Sequence, residues 1–286
     1  MRHVIETMGT MASIDVTGAA LVDLTELESI FRAVDTRFSL YRPDSELSLI
    51  ASGRLMLTDA SETMLASYAR ALDWRAATHG LFTPHRPDGI IDLNGLVKAE
   101  AIEQAGAFLD GSGCPRWTIN VGGDILARTG ILPALTGIAD PADDSAILCS
   151  IALRGTRRAI ATSGSAQRGD HIWRGGDVLP PHFAQVSVIA DDIVTADILA
   201  TAIVAGGPDA LDDVTDRWPV DVLTVGRDGG LSATPGFRAA LSQQAPPGEW
   251  SARNGRDGGF GVARDMTPGV LDSRPEVSEQ MILVPQ

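Results

Sequence analysis

Only two cysteines, Cys114 and Cys149, occur in 286 residues, too few for a disulfide framework, and without CxxC spacing they build no zinc site. Both read as buried or half-buried thiols. No run of about 18 uncharged apolar residues exists, which excludes a transmembrane helix. The opening Met1-Arg2-His3-Val4-Ile5-Glu6 has neither an apolar stretch of the kind that leads a secreted chain nor a cysteine to carry a lipid. The expected location is therefore cytoplasmic, without membrane insertion. Basic residues are scarce, 23 Lys and Arg against 37 Asp and Glu, for a formal charge of −14. Such a surface repels phosphate backbones and acidic lipid, so nucleic acid and membranes are poor partners. A polyphosphate ligand would need its charge met locally, by a metal or by aimed backbone N–H groups. The phosphate loop GxxxxGK[ST], the GxSxG elbow and any internal repeat are all missing.

What is present is an ordinary globular composition, 44% hydrophobic and 21% charged, with ample material for a core. Val4 to Val16 alternates loosely and is broken at Gly9, predicting a strand with a bulge. Asp23 to Phe38 places Leu24, Leu27, Ile30, Phe31, Val34 and Phe38 at helical spacing, and Ala60 to Thr78 repeats the pattern. A polar, proline-containing loop, Ser39 to Ser48, lies between them. Ile90 to Lys98 turns into an Ala-rich helix that ends near Leu109. Short strands are expected at Trp117 to Val121, Ile125 to Ala127, Ile147 to Leu153, Ala159 to Ala161 and Val186 to Ala190. Thr195 is the expected N-cap of a helix running to Ala205 and stopped by Gly206-Gly207-Pro208, and Asp221 to Val225 forms a closing hairpin with the segment near Leu231. Strands and helices mix without a βαβ rhythm, so the expected class is α+β with antiparallel sheets and flanking helices. From about Gln243 the chain turns rich in Pro and Gly. This divides it into a body, 1–242, and a poorly ordered or draped tail, 243–286, whose apolar Met281-Ile282-Leu283-Val284 is suited to docking.

Several constellations carry chemistry-bearing groups. Asp197 and Thr201 lie four apart on an expected helix and so share one face. Both are hard oxygen donors that suit magnesium, although an acidic residue in a first helical turn followed by an unrelated threonine has the same spacing. Thr162-Ser163-Gly164 precedes His171, which fits a nucleophile and base, a phosphate cradle or simply a polar turn. Asp92-Leu93-Asn94-Gly95 leading to Lys98 puts a carboxylate, a glycine turn and a cation at a helix start, a natural neighbour of polyphosphate. Asn120-Val121-Gly122-Gly123-Asp124 reads equally well as a plain hairpin turn.

The order of these pieces resembles the FAD:protein FMN transferase family, ApbE. The matching segments are Met8-Gly9-Thr10, Phe38 to Ser48, Gly80-Leu81-Phe82-Thr83-Pro84, Ile91 to Lys98, Asn120 to Asp124, Gly137 to Pro141, Ala161 to Gly164, His171-Ile172 and Ala196 to Thr201. They span residues 4 to 225. The resemblance implies an α+β fold with a central FAD cleft and the transfer of FMN from FAD, through a phosphoester, to a Ser or Thr hydroxyl of an acceptor protein with release of AMP. It implies magnesium held by Asp197, Thr201 and the carbonyl of Gly95. It implies FAD contacts at Met8, Tyr41, Leu81, Phe82, Thr83, Asp92, Lys98 and Ile172. His171 is the candidate catalytic residue, as general base or to polarise the phosphate.

The chain departs from the family pattern where His171-Ile172-Trp173-Arg174 lacks the usual Asp-Pro, where Thr83 replaces an Asp, where Ala99 replaces a Gly and where Ala51 replaces an Asn. Three other functions suit the same residues: hydrolysis of FAD to FMN and AMP, non-catalytic FAD binding, and a serine hydrolase built on Ser163 and His171.

Overall fold

The computed structural model of the protein describes residues 1–18, 22–164, 182–243 and 282–283. Its first two strands, β1 (Arg2–Thr7) and β2 (Thr10–Thr17), pair antiparallel with Thr7 opposite Thr10. The expected single bulged strand is thus a hairpin. Its two turn residues, Met8 and Gly9, have φ of 48° and 70°, the pair of positive values that a two-residue turn matched to strand twist requires.

Helices α1 (Leu24–Phe38), α2 (Glu46–Ala51), α3 (Glu62–Ala77) and α4 (Asn94–Gly111) follow. The α1 start is fixed by Asp23, whose carboxylate accepts the N–H groups of Thr25 and Glu26 at 2.9 and 3.3 Å. The expected Ser39 to Ser48 loop is shorter than the spacing suggested, because Ser45 caps α2 by accepting the N–H of Ser48.

Strands β3 (Arg116–Val121), β4 (Asp124–Arg128), β5 (Ala134–Asp140), β6 (Asp143–Leu153), β7 (Ala159–Gly164) and β8 (Phe183–Ala190) come next. They lead into α5 (Ile193–Gly206), α6 (Pro208–Arg217), β9 (Asp221–Gly226), β10 (Leu231–Ala233) and α7 (Pro235–Ala240). A two-residue strand β11 (Ile282–Leu283) pairs parallel with β10.

Among the described residues the main sheet has the order β1-β2-β3-β4-β7-β8-β9-β10-β11, antiparallel throughout except for its last pair, and β5 and β6 form a separate hairpin. The α+β expectation with antiparallel sheets is what the structure shows.

Side chains alternate across this sheet with the two-residue period of a strand. Ala159, Ala161, Val186, Val188 and Leu126 enter one core with α1, α4 and α5, whereas Ile160, Ile189, Ile125 and Ala127 enter a second core with β5, β6 and Phe237 of α7. Helix α5 is buried on nearly every face, from Ile193 to Ala205, which is why its sequence is apolar all round rather than amphipathic.

Two expectations about α5 need correction. Its N-cap is Asp192, not Thr195: Asp192 accepts the Thr195 N–H at 2.7 Å and the Thr195 hydroxyl at 2.8 Å. Gly207, at φ 71°, ends α5 as expected, but Pro208 then opens α6, since a proline at the first helical position sacrifices no hydrogen bond.

Both cysteines are free. Cys114 is buried, and burial pushes the half-buried Cys149 thiol up to about 11. Among the described residues no helix is long and apolar enough to cross a membrane.

Candidate functional site

The helix-side face of the sheet is apolar until its end near the β3–β4 turn, where charge enters it. Asp197, one turn into α5, is 4% exposed, and a carboxylate taken so far out of water must meet a counter-charge. Lys98 of α4 supplies it, with Nζ 3.7 Å from Asp197 Oδ2. The same ammonium is ion-paired with Oδ2 of Asp124, the first residue of β4, whose side chain is 1% exposed. Asp124 is held in turn by the Thr162 N–H, which donates to its Oδ1 at 3.2 Å. Thr201, four residues beyond Asp197, shares a hydrogen bond of 3.1 Å with the Ser163 hydroxyl of β7.

Four elements that are distant in sequence, α4, β4, β7 and α5, thus meet in two carboxylates, one ammonium and two hydroxyls. Ser163 is therefore engaged with an expected metal ligand, on the same sheet face.

The segment from Gly80 to Asp92 reaches the start of α4 and the far end of α5. Phe82 is buried, its N–H donates to the Thr78 hydroxyl at 3.1 Å, and its ring edge lies only 3.2 Å from where a Cβ on Gly95 would stand. A larger residue at position 95 would push that ring away. Leu81 packs at the other end of α5, against Gly206. The Thr83 hydroxyl accepts the His85 N–H at 3.2 Å. Asp92 is tied at both ends: its N–H donates to Pro84 O at 2.8 Å and its carboxylate accepts the Asn94 N–H at 2.9 Å, which opens α4. Gly95 is exposed in the first turn of that helix, three residues before Lys98 and so on the same side.

The ApbE family profile matches residues 8–86 and 83–224. The chain belongs to the ApbE family.

The ApbE protein of Thermotoga maritima has a similar structure, with a TM-score of 0.71 and 20% identity over 85% of this chain and 99% of that one. The flavin transferase ApbE of Vibrio cholerae gives 0.66 and 22% over 84% and 99%, and the flavinyl transferase ApbE of Pseudomonas stutzeri gives 0.66 and 17% over 85% and 97%. At such identities the likeness is one of fold. No curated protein compared with the chain matches it.

Within this ApbE chain the structure brings together some of the residues implied by resemblance and leaves others apart. Lys98, Asp197 and Thr201 are drawn together, as are Phe82 and Gly95. Met8 lies at the same end of the sheet: Ala12 pairs with Val121 and Gly122 donates to Met11 O, which sets the β1–β2 turn beside the β3–β4 turn. Its positive φ costs about 1 kcal/mol or more for a side chain with a Cβ. Tyr41 stands apart, 90% exposed in the turn between α1 and α2. His171 and Ile172 lie outside the described residues.

One participant, Asp124, was not singled out from sequence as a site residue. A signal existed: it is the sole charged residue at the head of the otherwise apolar run Asp124-Ile125-Leu126-Ala127, all four buried.

Proposed function

We propose that this ApbE-family chain is a magnesium-dependent FAD:protein FMN transferase. A Ser or Thr hydroxyl of an acceptor protein attacks the FMN-side phosphorus of FAD, the new P–O bond replaces the one to AMP, and the hydroxyl proton leaves to a base. The supporting observation is the partly buried Lys98 ammonium set between the buried carboxylates of Asp124 and Asp197, the latter on the same helix, α5, as Thr201 of the Ser163–Thr201 hydroxyl pair. On a chain of net charge −14 a pyrophosphate needs local positive charge, and because two carboxylates outnumber the one ammonium here, a divalent cation on Asp197 would have to supply it.

The donors available to a metal fit magnesium. Among the described residues no cluster of three or more His, Cys, Asp and Glu could hold a metal ion, so the donors at hand are the mixed set of one carboxylate, one hydroxyl and one carbonyl. Asp197, Thr201 and the Gly95 carbonyl offer oxygen alone, the donor that magnesium takes while leaving positions to water and phosphate. Magnesium bound there would neutralise charge on the departing phosphate.

Lys98 orients the pyrophosphate end of FAD, and Asp92 is a further contact to the cofactor. Met8, Tyr41, Leu81, Phe82, Thr83 and Ile172 contact the rest of the cofactor, and His171 takes the hydroxyl proton. The work is mainly positioning and electrostatics.

The metal requirement has a direct test. AMP release from FAD stops when divalent cations are chelated and returns when magnesium is added in excess. Undiminished release in the chelator would remove magnesium from the account.

A further inference from the structure

Lys98 answers to two carboxylates on different elements. Its ammonium is ion-paired with Asp124 and lies 3.7 Å from Asp197, beyond hydrogen-bond range of the latter. Asp124 is the fixed partner of the two. It opens a strand paired on both sides, by β3 and β7, and its other oxygen is bound by the Thr162 N–H. Burying an ammonium and a carboxylate in this way costs more in lost hydration than a loosely held pair returns. The arrangement therefore calls for a use beyond packing α4 against α5.

We infer that Asp124 is a positioning residue of the FAD site: it draws the Lys98 ammonium toward β4 and so keeps the Asp197 carboxylate available to a divalent cation. The inference rests on the FAD-transfer reading of this site. Without the charge on Asp124, the Lys98 ammonium moves onto Asp197, its remaining charge partner in the cluster. It then competes with the cation for that carboxylate. Asp124→Asn isolates the effect, because asparagine keeps the volume and the oxygen that accepts the Thr162 N–H while losing the charge.

The test reads FAD binding rather than turnover, by quenching of flavin fluorescence over a magnesium titration, with the full-length protein. Asp124→Asn raises the magnesium concentration for half-saturation about tenfold, a modest share of the attraction between unit charges about 4 Å apart. Adding Lys98→Met to Asp124→Asn removes the competitor and returns the half-saturation point to that of Lys98→Met alone, a non-additivity expected only if Asp124 acts through the lysine. A purely structural role for Asp124 would lower the melting temperature without moving the half-saturation point, and that result overturns the inference. So does a double variant more impaired than Lys98→Met alone.

Should Asp124→Asn alone not fold, the double variant is compared with Lys98→Met, and unequal half-saturation points then count against the inference. Absence of magnesium-dependent FAD binding in the unaltered protein would instead overturn the functional reading beneath it.

Discussion

Asp197→Ala lowers magnesium-dependent AMP release from FAD by about a thousandfold or more, the scale of losing several kcal/mol of charge stabilisation at a phosphoryl centre. Asp197 is the one buried carboxylate of α5, and no other carboxylate on that helix can replace it. The substitution leaves Lys98 paired with Asp124, so the remaining cluster is electrically balanced and the fold survives. Circular dichroism and a melting temperature close to that of the unaltered protein separate loss of chemistry from loss of structure. A folded variant with full turnover would show that the metal is held elsewhere.

Trp117→Ala acts on the same site from outside it. Trp117 on β3 is 1% exposed, and its ring packs against α4 so closely that a Cβ on Gly106 would come within 2.7 Å of it. Its indole N–H donates to Asp110 Oδ1 at 2.8 Å near the end of α4, and the Arg158 guanidinium lies 5.2 Å from the ring centroid. Truncation removes the ring, the hydrogen bond and the cation–π contact together, and costs about 3–5 kcal/mol. That is a large part of the stability of an ordinary domain. In urea the unfolding midpoint falls while the slope is unchanged. A loss under about 1 kcal/mol would mean that α4, and Lys98 with it, is held to the sheet by other contacts.

The helices and most strands were legible because their signals are local. Phe31, Val34 and Phe38 keep helical spacing on α1, and all three are buried. Asp197 and Thr201 share a helix, so four residues of spacing are enough to put them on one face.

The features that escaped depend on partners or on degenerate signals. A bulge and a two-residue turn both shift strand alternation by one residue. Met8-Gly9 therefore reads as either until pairing of Thr7 with Thr10 decides it. Strand β5 is interrupted in sequence by Gly137, but in the fold a Cβ there would lie 3.2 Å from Ile147 of β6, so the residue that hides the strand is what lets the hairpin pack. Asp192 and Thr195 are both good caps, and only the geometry shows Thr195 donating to Asp192. The pairing of Lys98 with Asp124 joins α4 to β4 across the β3 hairpin, and no periodicity encodes such a contact.

The central claim is group transfer, and intact mass spectrometry of an acceptor tests it most directly. The protein is mixed with FAD, magnesium and a candidate FMN-accepting protein, and AMP is followed in parallel. The account predicts AMP release together with an acceptor heavier by one FMN, and no mass change when the acceptor's target hydroxyl is removed. AMP with free FMN and an unmodified acceptor, repeated across several acceptors, would contradict transfer and make the protein an FAD hydrolase.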